Sequence, residues 1–271
     1  MSAAHDTLAR AYACVAMKML LQPNRLLTHP SDTYQIRLAK NLDDIQAAQR
    51  LRFMVFNLEL GEGLQESLQT GLDADPYDAV CDHLLVEHVP SGDIVGTYRL
   101  QTGTVAGSRL GYYSAEEFDF RPYEPLRSEL IELGRACVHR EHRNLLVLGL
   151  LWKGIAQYAA RRGARYLCGC SSLTSQDPAE GASIYAELCR RHQAPPPLRT
   201  QPLPRYACPL DRLASENAKV PKLLKAYLTI GAKICGPPAI DRRFRTIDFL
   251  TLLDLESLPA IVRERFTSTD L

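Results

Sequence analysis

A carboxylate and a guanidinium three residues apart are the first sign of chemistry in this sequence: Glu132 and Arg135, in ELGRACV. On a plain strand that spacing puts them on opposite faces. Gly134 lies between them, and an extra residue bulged out there would bring both to one face and splay the strand from its neighbour. A splayed pair exposes backbone amides and carbonyls that a linear substrate arm can use as an added strand. At such a split the carboxylate could deprotonate an amine while the guanidinium orients a carbonyl or carboxylate. The same spacing also fits an ordinary surface ion pair. Just beyond, Arg140 and Arg143 lead into Asn144, where a helix N-terminus would offer free amides to a phosphate. The glycine-rich signature that makes such a site specific is absent. His83 and His139 flank apolar strands with no nucleophile elbow nearby, and read as structural.

The elements that must position these residues follow from periodicity. Tyr34 to Ala39 alternates as a strand, and Asn41 to Leu60 carries helical spacing at Ile45, Ala48, Leu51 and Val55. The polar stretch 61–82, broken by Gly and Pro, reads as a mobile loop. Residues 82–89 and 93–103 form two strands joined by a turn at Pro90–Asp93. Ser114 to Arg121 suggests a short helix, and Glu129 to Val138 a strand. Asn144 to Arg162 is helical and Gly163 stops it. Residues 164–172 make a buried strand, Glu180 to His192 a helix, and Ala194 to Arg205 a proline-rich connection. A helix over Lys219 to Thr229 and strands at 231–236 and 245–255 complete a mixed α/β chain.

Composition bounds the answer. The chain has 271 residues, 46% of them apolar and 23% charged, enough for one substantial core. A net charge of +1 removes the argument for nucleic-acid binding by bulk charge. No apolar run approaches the roughly 18 residues of a spanning helix. The eight cysteines show no CxxC pair, which favours a reducing compartment. Cys168-Gly-Cys170 has no histidine at ligand spacing, so no metal is expected. Asp6 to Leu21 suggests an amphipathic helix that packs on the domain or meets a membrane. The expected organisation is an N-terminal extension over 1–32 and one domain over 33–271.

Taken together, hairpin, bulged strand, phosphate-facing helix and crossover strand resemble the GNAT acyltransferase superfamily. The resemblance is to the branch holding N-acyl homoserine lactone synthases, N-acyl amino acid synthases and ornithine lipid N-acyltransferases. It is carried by Arg52 and Phe56 in LRFMVF, Asp75 and Asp78 in DPYD, Arg99 in GTYRL, and Glu132 with Arg135. The ending VPKLLKAYLTIGAKICGPPAIDRRFRTIDFLTLLD resembles the ornithine lipid type most. The resemblance implies a GNAT-like mixed sheet with a split between two strands, flanked by helices. It implies transfer of a long 3-hydroxyacyl chain from acyl carrier protein to the α-amine of ornithine, with no cofactor beyond that acyl-phosphopantetheine. Glu132 would then activate the amine, directly or through water, and Arg135 and Arg99 would position substrate. Arg52 and Phe56 would bind substrate, and Asp75 and Asp78 would order the acceptor loop or bind its cationic groups. Other acceptors, or a non-catalytic carrier- or lipid-binding module, are the competing expectations.

The sequence departs from the common GNAT pattern at the phosphate loop. Bulky Leu145, Leu146 and Leu148 stand where a CoA pyrophosphate needs close backbone approach. A carrier arm brings one phosphate only, so Arg140, Arg143 and Asn144 are expected to take a phosphopantetheine. Arg140, Arg143, Lys153, Arg161, Arg162 and Arg165 could offer an acidic carrier a basic face. The resulting expectation is a cytoplasmic enzyme, peripheral on the inner membrane.

Overall fold

The computed structural model describes residues 32–214 and 219–258. The helix expected over Asp6–Leu21, and nearly all of the 1–32 extension, lie outside the described residues. The strands are β1 (Tyr34–Leu38), β2 (Asp82–His88), β3 (Asp93–Thr102), β4 (Leu130–Val138), β5 (Tyr166–Leu173), β6 (Lys233–Ile234), β7 (Ala239–Asp241) and β8 (Thr246–Asp254). The α-helices of six residues or more among the described residues are α1 (Leu42–Phe53), α2 (Gly103–Ser108), α3 (Leu145–Arg162), α4 (Pro178–His192) and α5 (Lys222–Thr229). The sheet runs β1-β2-β3-β4-β5-β8-β6, with β7 also paired to β8. Only β4 and β5 are parallel, and α3 makes the crossover between them.

Local chemistry sets the helix ends. Asn41 caps α1 by accepting from Asp44 N at 2.9 Å. Asn144 caps α3, accepting from both Leu146 N and Val147 N at 3.0 Å. Gly163, left-handed at φ 63°, ends α3. The helix read as Asn41–Leu60 continues beyond α1 as a π-helical turn over Met54–Glu59, which carries Phe56. Ser114–Arg121 is not one helix: 3-10 turns at Tyr113–Glu116 and Arg121–Glu129 take its place. The polarity of GYYSAEE, followed by Pro122 and Pro125, suits tight turns better than a regular helix.

The two faces of the sheet differ in what covers them. Val147, Leu151 and Ile155 of α3 pack on Leu84, Val86 and Val95. Leu51 and Val55 pack with Phe56, Cys137 and Ile94 in a separate cluster. Ile94 and Val95 are neighbours in β3, so the clusters lie on opposite faces. On the α3 face stand Tyr98, Leu100, Ile131 and Leu167; Arg99 and Glu132, between them in sequence, therefore turn to the α1 face.

β4 and β5 pair only at Leu130–Tyr166, Ile131–Leu167 and Glu132–Cys168, and then part. The vertex is tight. A Cβ on Gly169 would overlap the carbonyl oxygen of Leu133. Gly169→Ala is therefore expected to force the strands apart and lower the Tm by about 4 °C or more, the effect of ~2 kcal/mol in a chain this size. Thermal unfolding checks it; an unchanged Tm would mean the vertex has slack.

Candidate active site

The bulge in β4 falls at Arg135 rather than Gly134. Arg99 faces Gly134 and Thr97 faces Cys137, so Arg135 and Ala136 together oppose Tyr98. Arg135 is left-handed at φ 49°, a conformation that costs a non-glycine residue about 1 kcal/mol. The inserted residue shifts the alternation: Ala136 joins the α3 face and Cys137 the α1 face. Arg135 thereby comes to the same side as Glu132. Its guanidinium lies 4.8 Å from the Tyr113 ring centroid and 4.4 Å from that of Phe244, a sandwich that holds the strained backbone.

Glu132 is 4% exposed, and both its oxygens are held by backbone amides. Tyr113 N donates to Oε2 at 2.8 Å and Ser114 N to Oε1 at 2.7 Å. Burial pushes the carboxyl above its usual range, and the hydrogen bonds from Ser114 and Tyr113 offset only part of that. Each oxygen keeps a second lone pair, so the group can still accept a proton. A raised carboxyl pKa is what a base working near neutrality needs.

The stretch read as a mobile loop is instead clamped by three arginines. Arg52, fully buried, donates Nε to Asp73 Oδ2 at 2.9 Å and Nη2 to Asp78 Oδ2 at 2.7 Å and to the Asp73 carbonyl. Arg99 Nη1 donates to Asp75 Oδ1 at 2.6 Å and Asp78 Oδ1 at 3.0 Å. Arg135 Nη2 reaches Asp75 Oδ2 at 3.1 Å, and Nη1 reaches Tyr113 Oη at 3.2 Å. Burial pushes the Asp75 and Asp78 carboxyls up, but the guanidiniums of Arg99, Arg135 and Arg52 more than reverse it, and both end below the usual range. These aspartates are thus occupied by the protein's own cations and order the loop. Phe56 stacks edge-on to Phe244 at 5.4 Å, closing the far side of Arg135. His83 lies buried beside the clamp, Nε2 donating to the Asp78 carbonyl at 3.1 Å.

The expected carrier residues sit apart from this network. Asn144 spends its side chain on the Leu146 and Val147 amides, so fewer amides of α3 remain for a phosphate. Arg143 binds Glu59 through both Nη atoms, at 2.5 and 2.7 Å, while Arg140 is exposed. Arg162 pairs with Asp82, and Arg165 with Asp254 and Glu256. Such half-exposed pairs are worth about 0–1 kcal/mol and exchange readily with a partner's carboxylates.

Between the parted strands runs a narrow cavity of about 70 Å³. Tyr98, Leu133, Trp152 and Leu253 wall it on the α3 face, with Leu223 and Tyr227 of α5 across its end. Tyr227 Oη hydrogen-bonds Tyr98 Oη. Cys168 and Cys170 open the slot toward the other face, where Glu132, Arg99 and Arg135 stand. Among the described residues the lining is mostly apolar, and Arg135 is its one charged residue, while Glu132 and Arg99 stand beside the slot rather than in its wall. All cysteines among the described residues are free thiols.

Sequence reasoning missed the residues that complete the charged side. Asp73 precedes Asp75 in the same acidic run and was there to be counted with it. Tyr113 and Ser114 lie in a turn without period. Asp248 is an acid inside the apolar strand RTIDFLTLLD, a signal in itself, since buried carboxylates are rare. Asp248 is 4% exposed and faces Glu117, which is 2% exposed. Burial, with Asp241 adding to it, pushes Asp248 up to about 6. A carboxyl raised on folding favours the native state fully below its ordinary 3.8, and that contribution is lost as pH rises through about 6. Asp248→Asn is therefore expected to raise the Tm near pH 8 by about 2–4 °C, the effect of ~1 kcal/mol. It should also flatten the decline of stability between about pH 4 and 6, measured by thermal unfolding across pH. A lower Tm at both ends would contradict this.

Two strands that part beside a buried carboxylate, with a mostly apolar slot between them, are the frame of an N-acyltransferase of the GNAT superfamily. Residues 51–153 match the family described as acetyltransferase (GNAT) domain. The L-ornithine N(alpha)-acyltransferase of Brucella abortus is 37% identical over 240 residues, 83% of this chain and 85% of that protein. That of Rhodobacter capsulatus is 34% identical over 248 residues, 87% and 95% of the two. The chain belongs to the L-ornithine N(alpha)-acyltransferase family. The solved structure of BjaI, a CoA-dependent acyl-homoserine lactone synthase, covers 88% of this chain and 91% of its own at TM-score 0.50 and 16% identity, and agrees in fold.

Proposed function

We propose that the protein moves a long-chain 3-hydroxyacyl group from acyl carrier protein to the α-amine of L-ornithine, giving a lyso-ornithine lipid. The observation that carries this reading is the slot where β4 and β5 part beside Glu132. The apolar lining suits the pantetheine arm and the start of the acyl chain. The charged groups beside it, Glu132, Arg99 and Arg135, suit an amino acid. The thioester then lies in the gap, where unpaired backbone can hold the arm as an added strand. Glu132 takes the ammonium proton, directly or through water. The freed amine attacks the thioester carbonyl, the C–N bond forms and the C–S bond breaks, and the proton that the attacking nitrogen then sheds goes to the departing thiolate, so the arm leaves as a thiol. Arg135 and Arg99 position the acceptor.

Fewer free amides at α3 favour a donor with one phosphate, the carrier's arm, over CoA with its pyrophosphate. Arg140, Arg143 and Asn144 remain the proposed carrier-facing residues, and no cofactor is needed besides the acyl-phosphopantetheine. A cavity of about 70 Å³ is short for a long acyl chain, which would run on past Leu223 and Tyr227 of α5. An amphiphilic product suits work at a membrane surface; among the described residues no helix is long and apolar enough to cross one. A single acyl chain gives only marginal, reversible membrane affinity.

The test offers purified protein a long-chain 3-hydroxyacyl carrier protein, or the matching CoA thioester, with ornithine, glycine, tyrosine or S-adenosylmethionine in turn. Mass spectrometry should find acylated ornithine, formed faster from the carrier than from CoA. Product on another amine, or tight carrier binding with no thiol release, would overturn the reading.

A further inference from the structure

The acidic groups of the clamp each have a cation, but a second buried acidic cluster has none in contact among the described residues. Glu117, Asp248 and Cys170 present one oxygen or sulfur each, all within 4.8 Å of one another. Glu117 Oε2 and Asp248 Oδ1 are buried without any hydrogen-bond partner. The charges acting most strongly on Glu117 are Asp248, Asp241 and Glu116, all of the same sign. Thr246 Oγ1 donates to the other Asp248 oxygen at 3.2 Å, but two buried carboxylates without a cation opposite them are costly, and either hold protons or receive a cation from outside. Burial and these neighbours do push Glu117 well above the usual range.

The cluster is joined to the reacting centre. Cys170 lines the slot, and its Sγ donates to Ser114 Oγ at 3.4 Å. The amide of that same Ser114 holds Glu132. An acceptor whose α-amine meets Glu132 therefore has this cluster one side chain away, on the same face of the sheet.

We infer that Glu117, Asp248 and Cys170 form the subsite for the side-chain ammonium of the acceptor, and so distinguish a diamino acid from its uncharged analogues and leave the α-amine to react. This rests on the acceptor reading above. The ligand chemistry is a primary ammonium: its three N–H donors match one oxygen of each carboxylate and the sulfur. A divalent metal fits less well, because burial pushes the Cys170 thiol well above its usual range and leaves it neutral, a poor ligand.

The test compares kcat/KM for L-ornithine and L-norvaline, which has the same carbon skeleton without the terminal amine. Wild type is expected to prefer ornithine by about a hundredfold or more, as sites built to bond a polar group do. In the Glu117→Gln/Asp248→Asn double variant, with folding confirmed by near-ultraviolet circular dichroism, the preference should collapse to within about tenfold. Wild type acylating both equally would overturn the inference even if the variant failed to fold. So would a double variant that keeps the full preference, or a stoichiometric divalent metal in purified wild type that the variant loses. Wild type acylating neither amine would instead bring down the acceptor reading itself.

Discussion

Glu132→Gln is expected to lower kcat at saturating acceptor by about a hundredfold or more, the usual contribution of a positioned base. The carboxylate is buried, raised above its ordinary range and on β4 where it parts from β5, so it is the group best placed to draw a proton from the bound ammonium. In wild type, kcat should fall as pH drops through the raised Glu132 value, because only the ionised form accepts a proton. The glutamine variant should lack that limb. Its stability should fall as well, by about 1–3 kcal/mol, since one of the Tyr113 and Ser114 amides would meet an amide NH₂ instead of an oxygen. Glu132→Ala, which the strand position alone suggests would leave the fold intact, strips both amides of their acceptor. Circular dichroism and thermal unfolding separate the two effects. Wild-type kcat in the glutamine variant would remove Glu132 from the mechanism.

Arg52→Leu should be the most destabilising single change in the clamp. Arg52 is wholly buried between Asp73 and Asp78, and its loss leaves two buried carboxylates short of a cation. Breaking a buried pair from one side costs about 3–5 kcal/mol, which corresponds to a Tm lower by roughly 10 °C. Activity should fall with it, because the same aspartates fix Arg99 and Arg135. Adding Asp73→Asn should recover part of the stability, since the orphaned charge goes with it. Calorimetry checks both; an Arg52→Leu Tm within about 2 °C of wild type would show that the clamp is not buried as described.

Much of the frame was legible because its signals are local. Asn41, Asn144 and Gly163 mark helix ends by their own hydrogen bonds and backbone freedom, and the turn near Gly92 marks the β2–β3 hairpin. The family resemblance then brought Arg52, Asp75, Asp78, Arg99, Glu132 and Arg135 into one region, and the structure joins them in one network. The bulge shows where local reasoning ended. Gly134 is the residue free to adopt a left-handed backbone, yet Arg135 adopts it, because Tyr113 and Phe244 hold its guanidinium from far along the chain. The polar stretch 61–82 looked unstructured for the same reason: its order comes from arginines on α1, β3 and β4, not from its own propensities. Glu117 and Asp248 come from segments 131 residues apart by number (248 minus 117), and only the register of β5 on β8 brings Asp248 beside Cys170.

The most direct measurement follows the nitrogen. Ornithine carrying heavy nitrogen at the α position is turned over with long-chain acyl carrier protein, and the product is fragmented in a mass spectrometer. The label is expected in the amide, with the terminal amine free and light, as a base at the strand split and a cation subsite beyond it require. Label left in a free amine, with the acyl group on the side-chain nitrogen, would contradict the placement of the acceptor against Glu132.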